Sequence, residues 1–427
     1  MFAFYAYIKP DEYRMTRKTG HSSMQLVDFR SIDKELLSEL EWQQEYITEE
    51  AMLVDAGFQL WKRGYRYTSS ARPLPPIFVE NLEDNYRFIR LYFGARWAWY
   101  ILWLRWQEGN DRKKEWAAFR AVKDVPKIIW ETPVSPSKEL PKKGIFAPRV
   151  SVVITSLNRH AYLAQIVNDL DNQELPPWEI LIVDQSPIAW VPPDSAPSVR
   201  VIRTPGKLGQ WTGRNRALEE VRGEYIAFLD DDVRIEKNWL QEHINVLVDW
   251  SADISTGVYV AENELIPLNQ QYPHYASQWN ANNSLMAKEV LSKLGLLPTE
   301  FDGTRWGDHY YGCLAYQTGF IMVSNPYAAA IDRRAPSGGL REGEESSFSA
   351  YQILGGRALL SRGVLLFFHT YFDQLALFRW VRTKLPWQGK SGWLLWVRIG
   401  WYALRFPRFR KRIITQWESL SVKETAQ

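Results

Sequence analysis

Three consecutive carboxylates, Asp230, Asp231 and Asp232, close the apolar run in EYIAFLDDDV. Like charges so close together disfavour their own ionisation and destabilise the chain unless a cation sits among them. Mg2+ and Mn2+ take carboxylate oxygens and usually keep phosphate oxygens of a substrate in their shell. Alternate residues of an extended segment point the same way. Asp230 and Asp232 can therefore approach one cation, or one of them can reach it while its neighbour holds a sugar. On this motif alone, an acidic turn before a helix starting near Ile235 is an equally good reading.

The elements around the triplet argue for a strand end. VSVVIT from Val150 is a short β-branched run of the kind buried on both sheet faces, and EILIVD, VRVIRT and EYIAFL repeat the pattern. Between them HAYLAQIVNDLDNQ and GRNRALEEVRG carry helical spacing. Such alternation predicts an α/β domain with a parallel sheet covered by helices, and ligands bound beyond the carboxyl ends of the strands. Polar residues gather at those ends: Thr155 to Arg159, Asp184 to Ser186, and Asp230 to Asp232. Gly206, Gly209 and Gly213 in PGKLGQWTGRN suggest a mobile loop beside them, a weak signal by itself.

Four segments follow from texture. Residues 1–125 read as a helical N-terminal region. Residues 126–148 are a Pro-rich linker with Pro126, Pro133, Pro136, Pro141 and Pro148, which no helix or central strand would accept. Residues 149–345 form the α/β domain, and 346–427 a helical basic and aromatic region. A net charge of +3 over 427 residues gives no electrostatic case for nucleic acid. The single cysteine, Cys313, excludes an internal disulfide framework and a Cys-rich zinc site. No signal peptide and no apolar run long enough to cross a bilayer is expected.

From Val150 to about Arg341 the chain resembles the family 2 glycosyltransferases. VSVVITSLNR, EILIVDQS, GRNRALEEVRGEYIAFLDDDV, WNANNSLMAKEVLSKLG and RWGDHYYGCLAYQTGFIMVSNP carry the likeness in order, and VDQS with FLDDDV resembles one bacterial branch. The resemblance implies a GT-A fold, a Rossmann-like mixed sheet that binds nucleotide-diphospho-sugars, here with helical N-terminal and C-terminal extensions. It implies donor contacts from Thr155, Asn158, Arg159, Asp184, Arg214, Asn215, Asp230, Asp231 and Asn283. Asp230 and Asp232, as the DXD element, would hold Mg2+ or Mn2+, with Asp332 or His369 as third ligand. The general base would be Asp308 in RWGDHYYG, with Glu345 in GEESSFSAYQILGG as the alternative. Where the family has Glu-Asp before this helix, the chain has Gly307-Asp308.

These residue types suit an inverting, metal-dependent transfer of a hexosyl or related sugar from a nucleotide-sugar donor. The acceptor would be a glycan or lipid-linked molecule in bacterial cell-surface polysaccharide biosynthesis. The cation would stabilise the diphosphate leaving group, and a carboxylate would take the acceptor's proton. A catalytically inactive scaffold or binding protein and a nucleotidyltransferase remain as alternatives. The expected location is cytoplasmic. Eleven Lys/Arg against three Asp/Glu over 373–427, interleaved with Trp380, Trp387, Trp393, Trp396, Trp401 and Trp417, leave two readings of the tail. It packs as an accessory layer, or it lies on the anionic inner face of the membrane. RFIRLYFGARWAWYILWLRW would add a second contact there, with Arg96 and Arg105 reaching for the headgroups.

Overall fold

The strand order β3-β2-β1-β4-β8-β6-β9-β5, with β7 paired to β9, defines the sheet that carries the acidic triplet. In the computed structural model, the described residues are 1–9, 45–64, 77–128, 148–193, 198–267, 270–337, 339–340, 360–384 and 410–419. In chain order the elements are α1 (Tyr5–Ile8), α2 (Glu49–Lys62), α3 (Leu82–Phe93), α4 (Ala95–Gln107) and α5 (Arg112–Ala121), all helical. Then come β1 (Val150–Ser156), α6 (His160–Asp171), β2 (Glu179–Asp184), β3 (Val199–Arg203), α7 (Gln210–Leu218), β4 (Tyr225–Leu229) and β5 (Val233–Ile235). They are followed by α8 (Trp239–Asp249), β6 (Ile254–Ala261), β7 (His274–Tyr275), β8 (Asn283–Ala287), α9 (Lys288–Leu294), α10 (Gly307–Thr318), β9 (Met322–Asp332), α11 (Arg362–Tyr371) and α12 (Gln374–Lys384).

The chain divides into two compact units, one made of 1–137 with 368–427 and the other of 138–367. In the second, β1 pairs parallel with both β2 and β4, while β8 runs antiparallel to β4 and β6. Every residue of β1 and β2 is buried, which is why both read as unbroken apolar runs. Leu163, Ile166, Val167 and Leu170 of α6 join Trp239, Leu240, Ile244 and Leu247 of α8 in one cluster over Val152, Ile154, Ile180, Ile182 and Leu229. Each such side chain contributes roughly 1.5–3 kcal/mol by leaving water. The opposite face is covered by α7, where a Cβ added at Gly213 would fall 3.1 Å from the Thr155 methyl and 2.6 Å from Gln185 Nε2. The two layers lock the carboxyl ends of β1, β2 and β4 side by side.

The first unit is helical and aromatic. Phe2 stacks on Phe88 at 4.0 Å, Phe4 meets Tyr86 edge-on at 4.8 Å, and Phe58 lies 4.9 Å from Phe88. The two chain segments meet within it: Tyr7 bonds Glu108 at 2.6 Å, and Arg379 reaches the same pair at 3.2 and 3.1 Å. Arg105 corrects the expectation of a side chain extended to headgroups. It is paired inward with Glu115 at 2.6 Å and stacks 4.6 Å over Phe4. The reason is the buried Glu115 carboxylate, which a nearby cation must balance. Trp380 is buried, whereas Trp387, Trp393, Trp396 and Trp401 lie outside the described residues. Among the described residues no helix is long and apolar enough to cross a membrane.

Candidate active site

A cavity of about 170 Å³ opens at the ends of β1, β4 and β9, lined by Thr155, Arg159, Asp230, Asp231, Asp232 and Asp332 among others. The register explains the convergence. β1 lies between β2 and β4, so the turn after Ser156 passes beside the triplet that follows Leu229. β9 brings Asp332 opposite Val233, one residue past the triplet.

The turn after β1 supplies the cation. Asn158 takes a left-handed φ of 56°, a conformation Asn tolerates, and its N–H donates to Ser186 Oγ at 2.8 Å. The chain is thereby aimed so that Arg159 Nη1 lies 2.9 Å from Asp231 Oδ1 and 2.9 Å from Asp232 Oδ2. Ser156 donates to the other Asp231 oxygen at 2.6 Å. Asp230 faces Arg214 Nη2 at 3.1 Å and the Tyr259 hydroxyl at 3.5 Å. Arg214 is itself buried, its guanidinium 5.5 Å from the Trp211 ring.

Crowding shows in the acid strengths. Burial, reinforced by Asp232 and Asp230 and opposed by Arg159, pushes Asp231 up to about 6. Burial and then Asp230 also raise Asp232, again against Arg159. Arg159 loses from burial but gains more from Asp231 and Asp232, so it stays firmly charged. These are hard oxygen donors under electrostatic strain, a set that suits Mg2+ or Mn2+. As they stand, no group of three His, Cys, Asp or Glu among the described residues forms a ready cage, and Arg159 holds one oxygen of each inner acid.

Other expected donor residues face inward. Asp184 is 0% exposed. Its oxygens accept from Ser186 N at 3.0 Å and Trp190 N at 2.8 Å, and it pairs with Arg203. Burial alone would raise its pKa, but those hydrogen bonds and Arg203 hold it below the usual carboxylate range. Asn215 clamps the Leu297 backbone through both its amide atoms, each at 2.9 Å. Asn283 accepts from the Trp239 indole at 2.9 Å, contacts His243 Nε2 at 3.1 Å, and donates to Val258 O and Ala328 O at 3.0 and 2.7 Å.

Asp308 stands in the first turn of α10, about one-third exposed, and accepts from His309 N and Nδ1 at 2.9 Å. The preceding Gly307 packs so closely on the Trp211 indole that a Cβ would fall 2.4 Å from it, which fixes α10 beside α7. Glu345 lies outside the described residues. His369 belongs to the helical unit, where its ring is 4.9 Å from Trp417.

Some contributors were not foreseen. Gln210, Tyr259, Arg334 and Leu340 also line the cavity. Gln185 accepts from Leu208 N at 2.7 Å and donates to Gly209 O at 2.9 Å, so the glycine loop is tied down at one end. Asp302 caps α7 through Trp211 N at 2.8 Å and Thr212 N at 3.0 Å. The Gln in VDQS was the available signal for the first; Asp302 arrives through tertiary folding alone.

Residues 151–307 match the sequence model of the family described as Glycosyl transferase family 2. These residues are a family 2 glycosyltransferase domain. TuaG of Bacillus subtilis, named as a teichuronic acid biosynthesis glycosyltransferase, is 29% identical over 130 residues, 29% of this chain and 52% of the relative. WcaA of Escherichia coli, named as a colanic acid biosynthesis glycosyl transferase, is 24% identical over 136 residues, 30% and 47% of the two chains. The chain thus spans about half the length of these curated relatives. A solved structure titled mannosyltransferase PcManGT from Pyrobaculum calidifontis, in complex with GDP-Man and Mn2+, is 15% identical. It covers 65% of this chain and 81% of its own, with a TM-score of 0.39. The family 2 domain carries the acidic triplet, and its sheet is mixed, as the resemblance implied.

Proposed function

We propose that the protein is an inverting, divalent-metal-dependent glycosyltransferase that moves a sugar from a nucleotide-sugar donor to a glycan or lipid-linked acceptor. The observation that carries this reading is the meeting of Thr155, Arg159, Asp230, Asp231, Asp232 and Asp332 in one cavity at the strand ends of a family 2 domain. Asp230 and Asp232 would hold Mg2+ or Mn2+, with Asp332 beside them; bound there, the ion acts as a Lewis acid toward a departing diphosphate. Arg214 holds Asp230 in place. Thr155 and Arg159 line the same cavity and would supply a hydroxyl and a guanidinium to the donor. Asp308 is the base, its carboxylate held at the mouth of α10 by the His309 N–H. The bacterial polysaccharide pathways named for TuaG and WcaA support an acceptor in a cell-surface glycan.

A peripheral contact with anionic membrane is part of the same reading. Trp99 and Trp116 are 43% and 39% exposed with ring centroids 5.8 Å apart, and Arg112, Lys113 and Arg120 are exposed on the helix of Trp116. Indole with basic neighbours suits the headgroup zone. Cosedimentation with anionic but not neutral liposomes is expected at low salt; equal binding to both removes this element.

A thermal-shift screen of nucleoside diphosphates and nucleotide sugars tests the central claim, since a ligand of the folded state raises its melting temperature by mass action. One base should stand out, and its shift should need Mn2+ or Mg2+. Turnover unaffected by chelator would refute the metal, and no shift with any nucleotide would refute the donor site.

A further inference from the structure

The Arg159 guanidinium already pairs with two of the three carboxylates of the acidic triplet. One nitrogen, Nη1, stands 2.9 Å from an oxygen of Asp231 and 2.9 Å from an oxygen of Asp232. The side chain is only 16% exposed and is boxed in by the segment that follows β9. Ser337 O lies 3.4 Å from Nε, and Gly339 passes so close that a Cβ there would fall 2.5 Å from Cζ. The same segment is fastened to the triplet: Arg333 N donates to Asp232 O at 3.0 Å, and Ala335 N to Asp232 Oδ2 at 3.4 Å. Gly339 N closes the circuit on Leu157 O at 2.8 Å. The cavity that remains, about 170 Å³, falls short of the roughly 300–1,000 Å³ of ordinary ligand pockets.

Resting on the donor-site reading above, we propose that Arg159 is a displaceable internal counter-ion that makes divalent-cation binding and nucleotide binding depend on one another. An ion held by Asp230 and Asp232 would share the Asp232 carboxylate with the guanidinium on its Oδ2, and two cations so close on one carboxylate repel each other. The Arg159 guanidinium would therefore be displaced when an ion is bound, which would leave a charged group without its partners. A diphosphate resolves this, because guanidinium donors match phosphate oxygens and the side chain swings from the same turn into the same cavity. Cation and nucleotide then each raise the other's affinity by an equal factor, as linkage requires. Arg159 thus acts as a positioning residue that also selects for an anionic donor arriving with its ion.

The test measures Mn2+ binding by electron paramagnetic resonance on the full chain, with Mn2+ alone and with UDP or GDP. Wild type should take Mn2+ weakly alone and about tenfold or more tightly with the preferred diphosphate. Arg159→Gln should bind Mn2+ alone about tenfold more tightly than wild type, bind the diphosphate alone more weakly, and lose most of the coupling. Tighter metal binding is a result that mere structural damage does not produce. Mn2+ affinity in Arg159→Gln equal to or below that of wild type, with an unchanged melting curve, overturns the proposal. If Arg159→Gln does not fold, Arg159→Lys decides: its ammonium bridges the two acids less well, so Mn2+ alone should bind more tightly than in wild type, and no gain overturns the proposal. Wild type that binds Mn2+ and diphosphate tightly but with no mutual effect also overturns it, while leaving the donor-site reading intact. Wild type that binds neither defeats the donor-site reading itself.

Discussion

Two acidic strand ends flank β1, and they have opposite characters. At the end of β2, Asp184 is wholly enclosed, supplied with two backbone N–H donors and Arg203, and held below the ordinary carboxylate pKa. At the end of β4, Asp231 and Asp232 are pushed upward by burial and by neighbouring aspartates, Asp230 acting on both, despite Arg159. The first end is complete within the chain. The second carries more negative charge than its own protein balances and faces a cavity. An acid that depresses its own pKa through internal partners stabilises the fold; an acid that remains under strain at a cavity wall marks where an external cation lowers the energy.

The sharpest way to break this contrast is to remove the strained side. Asp232→Ala should reduce kcat/KM by about three orders of magnitude, the loss of several kcal/mol of charge stabilisation, and should abolish Mn2+-dependent nucleotide binding in calorimetry. Asp308→Asn should lower kcat by about 10²-fold or more and leave that binding unchanged. If Asp308→Asn stays active and Glu345→Gln does not, the base has been misassigned.

The satisfied side should respond in stability. Asp184→Asn is expected to cost about 3 kcal/mol in denaturant unfolding, because Arg203 is left facing a neutral amide. Its pH dependence has a definite sign. A folded pKa below the ordinary value of 3.8 gives stability that is present above that value and lost as pH falls through the lowered one. The gap between wild type and Asp184→Asn should therefore hold steady above about pH 5 and shrink below pH 4. A deficit confined to nucleotide affinity, with unfolding unchanged, would instead make Asp184 a ligand contact. Asn283→Ala is the smallest of the expected effects, about 2 kcal/mol, since it strands the Trp239 indole N–H and two buried carbonyls. Loss of sugar transfer at unchanged stability would show that Asn283 faces the donor rather than the core.

The contrast also shows what a sequence can disclose. β1, β2 and β4 were legible because strands buried on both faces leave continuous apolar runs, and α6 because Leu163, Ile166, Val167 and Leu170 keep one face. The triplet was legible because local charge repulsion needs no knowledge of the fold. Asp184 was legible as a strand-end acid, but its partner Arg203 sits on the neighbouring strand through the β2–β3 register, which no local pattern encodes. Asn283 likewise gains its partners from α8, β6 and β9, and Asp302 reaches α7 across 90 or so residues of chain. The short β5 and β7, of three and two residues, are too brief to leave any periodicity.

The helical unit is assembled from the two ends of the chain, with 138–367 lying between them in sequence. Tyr7, Glu108 and Arg379 make the dependence concrete, for the bond network around Tyr7 cannot close before Arg379 exists. On the ribosome the first 137 residues must wait for the whole of the middle unit to be made, roughly 10–50 s at ordinary elongation speeds. Throughout that interval the stacked rings of Phe2, Phe4, Tyr86 and Phe88 can already meet, since all belong to residues 1–137, while Tyr7 and Glu108 still lack their third member.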